Sequence, residues 1–198
     1  MHTTLIALDI PNFGDQRRKH DVQRLLRQNM YELLTEAFTM TGLPWEDSHR
    51  EDRGDGALII TPPQVCPFDA LDPLAHHLAA RLRRANRLTN EITRLRLRMA
   101  VHTGEVQYDN HGVLGYAVTH LFRLLDAAAF KRAMAATPGA DLGLMVSASL
   151  YHAAMDDGAI DPDAYSPITI NNKEVRRVKA HLWLPPTPPT GHPNTRQP

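Results

Sequence analysis

Two aspartates carry the chemistry that is easiest to read in this sequence. Asp9 ends the apolar run at residues 5–8 and precedes Ile10, Pro11, Asn12, Phe13 and Gly14. Asp55 sits between Gly54 and Gly56, just ahead of Ala57, Leu58, Ile59 and Ile60. A carboxylate at a strand end beside a glycine turn suits a hard divalent cation, which takes oxygen ligands and shares them with substrate phosphates. Two such carboxylates on neighbouring strands suit two ions and an in-line phosphoryl or nucleotidyl displacement. Seen alone, each aspartate also reads as an ordinary turn former.

The elements that must position them follow from the hydrophobic pattern. Residues 3–9 are rich in branched apolar types, as in a buried strand. Residues 15–41 turn helical, with Val22, Leu25, Leu26, Met30, Leu33, Leu34 and Phe38 on one stripe, and Gly42 and Pro44 stop the helix. An extended arm at 45–53 leads through Gly54-Asp55-Gly56, a hairpin turn, into a strand at 57–61. A second helix runs from Asp69 or Asp72 to Arg87. Residues 95–101 alternate Leu, Arg, Leu, Arg, Met, Ala, Val and predict a strand that continues into a hairpin over 95–109. A third helix is expected over 116–136, a strand over 142–146, a short helix over 147–155 with Ser147 as its N-cap, and a closing strand over 178–184. The fold class is α+β: a ferredoxin-like core whose mostly antiparallel sheet is covered by helices packed on one face. Residues 1–185 read as one domain and 186–198 as a disordered proline-rich tail.

Composition sets bounds on partners. The 198 residues suffice for one well-buried domain. Lysine plus arginine equals aspartate plus glutamate at 22 each, so no bulk field favours nucleic acid or an anionic membrane. The basic stretch at 81–98 reads as a solvated helix face. One cysteine, Cys66, allows no disulfide within the chain and fits a reducing compartment. No signal peptide or membrane span is legible, and a cytoplasmic location is expected.

Four segments in order resemble the class III nucleotidyl cyclase catalytic domain, the adenylate and guanylate cyclase homology fold. They are Leu8-Asp9-Ile10-Pro11-Asn12-Phe13, Gly54-Asp55-Gly56, the run from Leu97 through His102-Thr103-Gly104 to Val106, and the run from Gly115-Tyr116 through Thr119 and Arg123 to Leu124. The resemblance spans roughly residues 3–185. It implies that Asp9 and Asp55, with the backbone carbonyl of Ile10, hold two Mg²⁺ or Mn²⁺ ions. It implies that Arg123 clamps phosphate oxygens in the transition state, its planar fork being suited to them. Four residues earlier the family has asparagine and this chain has Thr119, which still donates one hydrogen bond but reaches less far. Lys173 matches the family's phosphate-binding lysine, with Arg176 or Lys179 as substitutes. Base choice is read at Glu51, whose carboxylate favours guanine and so GTP, and at Gly112, which has no side chain to read anything. Family sites form at a two-fold interface, which implies a homodimer acting on a nucleoside triphosphate. The threonine also leaves open a pseudo-cyclase that binds a nucleotide or docks a partner.

Other chemistry is not spelled out. His102, His111 and His120 match no metal-ligand spacing. His76 and His77 are adjacent on a helix and cannot point the same way. Ser147, Ser149 and His152 lack a nucleophile elbow.

Overall fold

The computed structural model describes residues 2–170 and 177–186. The strands are β1 (His2–Asp9), β2 (His49–Asp52), β3 (Gly56–Ile60), β4 (Leu97–Glu105), β5 (Gln107–Asp109), β6 (Gly112–Leu114), β7 (Leu142–Ser147), β8 (Tyr165–Ile170) and β9 (Val178–Trp183). The helices are α1 (His20–Thr41), α2 (Leu74–Ala85), α3 (Tyr116–Leu125), α4 (Ala128–Ala136) and α5 (Ala148–Asp156). Seven strands form one sheet in the order β2-β3-β1-β4-β7-β9-β8, and β5 pairs with β6 in a separate ribbon. Every pair is antiparallel except β4 with β7. The fold is thus α+β with a mostly antiparallel sheet covered by helices.

Helices cover both faces rather than one. Ile6, Leu8, Ile59, Met99 and Val101 face a layer built with α1, α2 and α5. Leu5, Ala7, Leu58, Ala100 and Met145 face a second layer made by α3 and α4. The central strands β1, β4 and β7 therefore have apolar residues on both sides, and each side needs a cover. Among the described residues no helix is long and apolar enough to cross a membrane.

Four local expectations change. α1 begins at His20, not Asp15, because residues 12–18 form turns in which Asp15 accepts from the Arg17 N–H and competes with helix. The expected third helix is two. Ala127 adopts φ −55° and ψ 127° between α3 and α4, although residues 116–136 are mostly good helix formers, so packing of Ala127 and Phe130 in the second layer decides the break. β8 is an additional strand; it contains Pro167, and it lies at a sheet edge, where proline is tolerated. The hairpin is β5–β6, residues 107–114, while β4 runs straight to Glu105.

The basic stretch also divides. Arg81 to Arg84 lie on α2, but Arg94, Arg96 and Arg98 lie beyond it, bonded to Asp141, Asp9 and backbone carbonyls rather than forming one solvated helix face. The tail beyond residue 186 lies outside the described residues.

Candidate functional site

Strand register brings the two aspartates together. Asp9 is opposite Gly56 on β3 and opposite Arg98 on β4. The Ile10 N–H donates to the Asp55 carbonyl at 2.9 Å, which pins the end of β1 to the turn before β3. Both glycines around Asp55 are required. Gly54 has φ +82°, a left-handed conformation that L side chains resist. A Cβ on Gly56 would lie 2.0 Å from the Leu8 carbonyl oxygen, so only glycine lets β3 approach β1 here. The result is a buried-side carboxylate, Asp9, beside an exposed one, Asp55.

Asp9 already has a cationic partner. Arg98 Nε donates to Asp9 Oδ1 at 2.8 Å and Arg98 Nη2 donates to Oδ2. Only 10% of the Arg98 side chain and 14% of the Asp9 side chain are exposed. Burial raises the Asp9 carboxyl above its ordinary range, the Arg98 bonds and charge pull it back, and the Asp55 charge raises it further. The sequence alone places Arg98 in an alternating strand and at the end of a basic stretch, with no role in the site. The available signal was a charge among Leu97, Met99, Ala100 and Val101, which needs a partner when that strand is central.

The donor set is hard oxygen: two carboxylates and the Ile10 carbonyl, which accepts one bond from the Phe13 N–H at 3.2 Å and keeps a second lone pair. Among the described residues no three or more His, Cys, Asp or Glu side chains cluster to hold a metal ion by themselves. Two carboxylates that already hold a guanidinium against one of them fit a cation whose remaining ligands are substrate oxygens. Beside Asp55 opens a cavity of about 760 Å³, lined by Phe13, Gly14, Arg24, Arg27, Tyr31 and Gly54 among others, within the size range of small-molecule sites. A groove of about 680 Å³ along α1 and Arg81 touches neither aspartate.

Glu51 and Gly112 also meet. A Cβ on Gly112 would lie 3.0 Å from Glu51 Oε1. Glu51 accepts from the Val113 N–H at 3.3 Å and from Arg53 Nη2 at 2.7 Å, and bonds His49 Nε2 at 3.0 Å. Burial raises its carboxyl, but these bonds and the nearby charges hold it below the ordinary range overall. Glu51 therefore ties the β5–β6 ribbon to β2.

Thr119 and Arg123 sit one turn apart on α3, which packs across β4 and β1. Thr119 is exposed, and its hydroxyl leans on the Gly115 carbonyl at 3.4 Å. Arg123 is half-buried. Between them His120 points inward, its ring 4.6 Å from that of His102. His102 Nδ1 bonds Ser147 Oγ at 2.9 Å, so Ser147 occupies the N-cap position of α5 without capping it. Lys173 and Arg176 lie outside the described residues; Lys179 is exposed on β9.

No protein-family model matches this sequence, and no curated protein does. Solved structures do. An adenylate/guanylate cyclase/hydrolase from Silicibacter pomeroyi is 18% identical with a TM-score of 0.67, over 94% of this chain and 98% of that one. The guanylyl cyclase Cya2 is 19% identical with a TM-score of 0.60, over 93% and 91%. The guanylate cyclase domain of RhGC from Catenaria anguillulae, solved with GTP, is 17% identical with a TM-score of 0.58, over 92% and 95%. The chain thus has, over more than nine-tenths of its length, the fold of adenylate and guanylate cyclase catalytic domains.

Proposed function

We propose that this chain is a nucleotidyl cyclase that converts a nucleoside triphosphate, GTP favoured, to a 3′,5′-cyclic nucleotide and pyrophosphate at a site shared across a homodimer. The observation that carries the reading is the meeting of Asp9 and Asp55 at one sheet end, beside a ligand-sized cavity, in a cyclase fold.

Asp9, Asp55 and the Ile10 carbonyl would hold two Mg²⁺ or Mn²⁺ ions. When bound, such ions lower the pKa of an attacking hydroxyl and neutralise charge on a triphosphate. The residues of the chain divide the remaining work. Asp55 offers an exposed carboxylate, and Asp9 exchanges its guanidinium partner, leaving Arg98 able to pair with a phosphate oxygen. Arg123 offers a planar fork to the charge developing at phosphorus, Thr119 adds one hydroxyl donor, and Lys173 adds a second cation. The Glu51 carboxylate would accept the N1 and N2 edge of guanine by exchanging its bonds to His49 and Arg53 for the base, which favours GTP over ATP.

A second copy is supported by exposed apolar side chains in one stretch: Tyr108 and Leu114 on the β5–β6 ribbon and Tyr116, 67% exposed, at the start of α3. Residues 1–185 would form the cyclase domain and 186–198 a tail, in the reducing cytoplasm that a lone exposed Cys66 suits. A nucleotide-binding pseudo-cyclase is the second reading, favoured by the short reach of Thr119 and by the grip of Arg98 on Asp9. Calorimetry with GTP and Mn²⁺, with chromatography of the products, separates the two. Turnover to cyclic GMP and pyrophosphate supports the enzyme; tight binding without pyrophosphate release supports the pseudo-cyclase; neither result would overturn both.

A further inference from the structure

Two smaller cavities of about 280 Å³ each share Pro11, Asn12 and Arg96 in their walls and have no wall residue in common with the Asp55 cavity. The outer one is lined by four guanidiniums, Arg17, Arg18, Arg94 and Arg96, against two carboxylates, Asp15 and Glu91. Both carboxylates bond Arg17. Arg94 is paired with Asp141 at 2.7 Å. That leaves Arg18 and Arg96 without a carboxylate partner among the described residues.

Both are held by backbone carbonyls instead. Arg18 donates to the carbonyls of Pro11, Asn12, Ile92 and Arg94. Arg96 donates through Nε and Nη2 to those of Ala140, Met134 and Thr137. Carbonyl dipoles fix both guanidiniums in place. Burial lowers the pKa of both groups, with repulsion from Arg17 at Arg18 and from Arg94 at Arg96, while the charges of Asp15 and Glu91 at Arg18 and of Asp141 at Arg96 act against it. No bond to Nη1 of Arg96 is made among the described residues, and Arg96 lines both cavities. The inner cavity adds Arg98 and Lys131, which pair with Asp9 and Asp126.

We propose that this paired cavity is a binding site for a small oxyanion of the phosphate class, seated on Nη1 of Arg96. A tetrahedral anion accepts several charge-assisted hydrogen bonds at once, which matches rigid guanidinium forks better than it matches a monovalent halide. The occupant is free phosphate or a diphosphate that bridges both cavities. Neither cavity shares a wall residue with the Asp55 cavity, so the site is tested apart from the cyclase reading, which involves only Arg98 of the inner cavity.

The test is calorimetry on the full chain without metal, at low salt, with inorganic phosphate in one arm and pyrophosphate in the other. One saturable site per chain is expected in at least one arm. Tighter binding of pyrophosphate identifies the bridging occupant, and equal binding identifies a single phosphate group; both sustain the site. Arg96→Gln removes the seat but also three carbonyl caps, and it risks unfolding. Pro138→Asp avoids this: Pro138 is exposed, lines the outer cavity and lies in a turn that tolerates aspartate. It places a like charge beside the anion while the caps stay intact, and it should weaken binding by at least about 10-fold with an unchanged melting temperature in the absence of anion. Absence of saturable binding in both arms would overturn the site, and so would wild-type affinity in Pro138→Asp.

Discussion

Arg98 on β4 faces Asp9 on β1 across one rung of the ladder and grips both oxygens of its carboxylate. The pair is nearly buried, so removing one partner strands the other. Arg98→Met is expected to destabilise the fold by about 3 kcal/mol. The double variant Arg98→Met with Asp9→Asn should recover more than half of that loss, because no uncompensated charge remains. Urea unfolding of the four proteins in this cycle measures it. A single variant as stable as wild type would show that the pair contributes nothing.

Thr119 spends its hydroxyl on a long contact with the Gly115 carbonyl and sits where a longer donor would reach further from α3. Thr119→Asn is expected to raise kcat on the order of 10-fold, a modest share of what one well-placed transition-state donor supplies. Steady-state kinetics reads the effect, and a fall in kcat with unchanged KM would mean that the threonine is the better residue here.

The shared-site claim has its own test. Asp55→Ala and Arg123→Ala should each lose turnover while keeping their fold, since Asp55 is exposed. Mixing them should restore a fraction of wild-type activity, because a heterodimer keeps one intact site. Two folded variants that dimerise and stay inactive in the mixture would place Asp55 and Arg123 in a single protomer.

His102 takes up its proton at lower pH than an ordinary surface histidine. Burial, with repulsion from His120 and His2, lowers its pKa to about 4. The unfolded chain takes up this proton near pH 6.5 and the folded chain only near 4, so the unfolded state binds more protons between them. Stability from this group is complete above about pH 6.5 and is lost as the pH falls towards 4. Partial exposure of the ring reduces the effect to about 1–2 kcal/mol. Urea unfolding at pH 7 and pH 4.5 should show that drop in wild type and less of it in His102→Gln. An equal drop in both would assign the acid sensitivity elsewhere.

What the sequence made legible follows from where local chemistry decides structure. The strand before Asp9, the Gly-Asp-Gly turn and the stop of α1 at Gly42 depend on side-chain types within a few residues, and all three stand where the pattern put them. Register was not legible, and register is what pairs Arg98 with Asp9 and Gly112 with Glu51. The alternation Leu95 to Arg98 looked like a strand with one wet face. Instead Arg98 is buried and Arg96 turns onto the carbonyls of α4 and the following turn. The break at Ala127 left no mark because no proline or glycine causes it, and β8 was hidden because an edge strand tolerates the proline that argues against a central one.

The account rests on catalysis at Asp9 and Asp55, and one assay tests this most directly. Purified chain is incubated with ATP, GTP, CTP and UTP and Mn²⁺, and the products are read by mass spectrometry, with Asp55→Ala alongside. The expected result is a 3′,5′-cyclic nucleotide with equimolar pyrophosphate, most from GTP, and none from the variant. Four unchanged triphosphates, or equal product from Asp55→Ala, would contradict it.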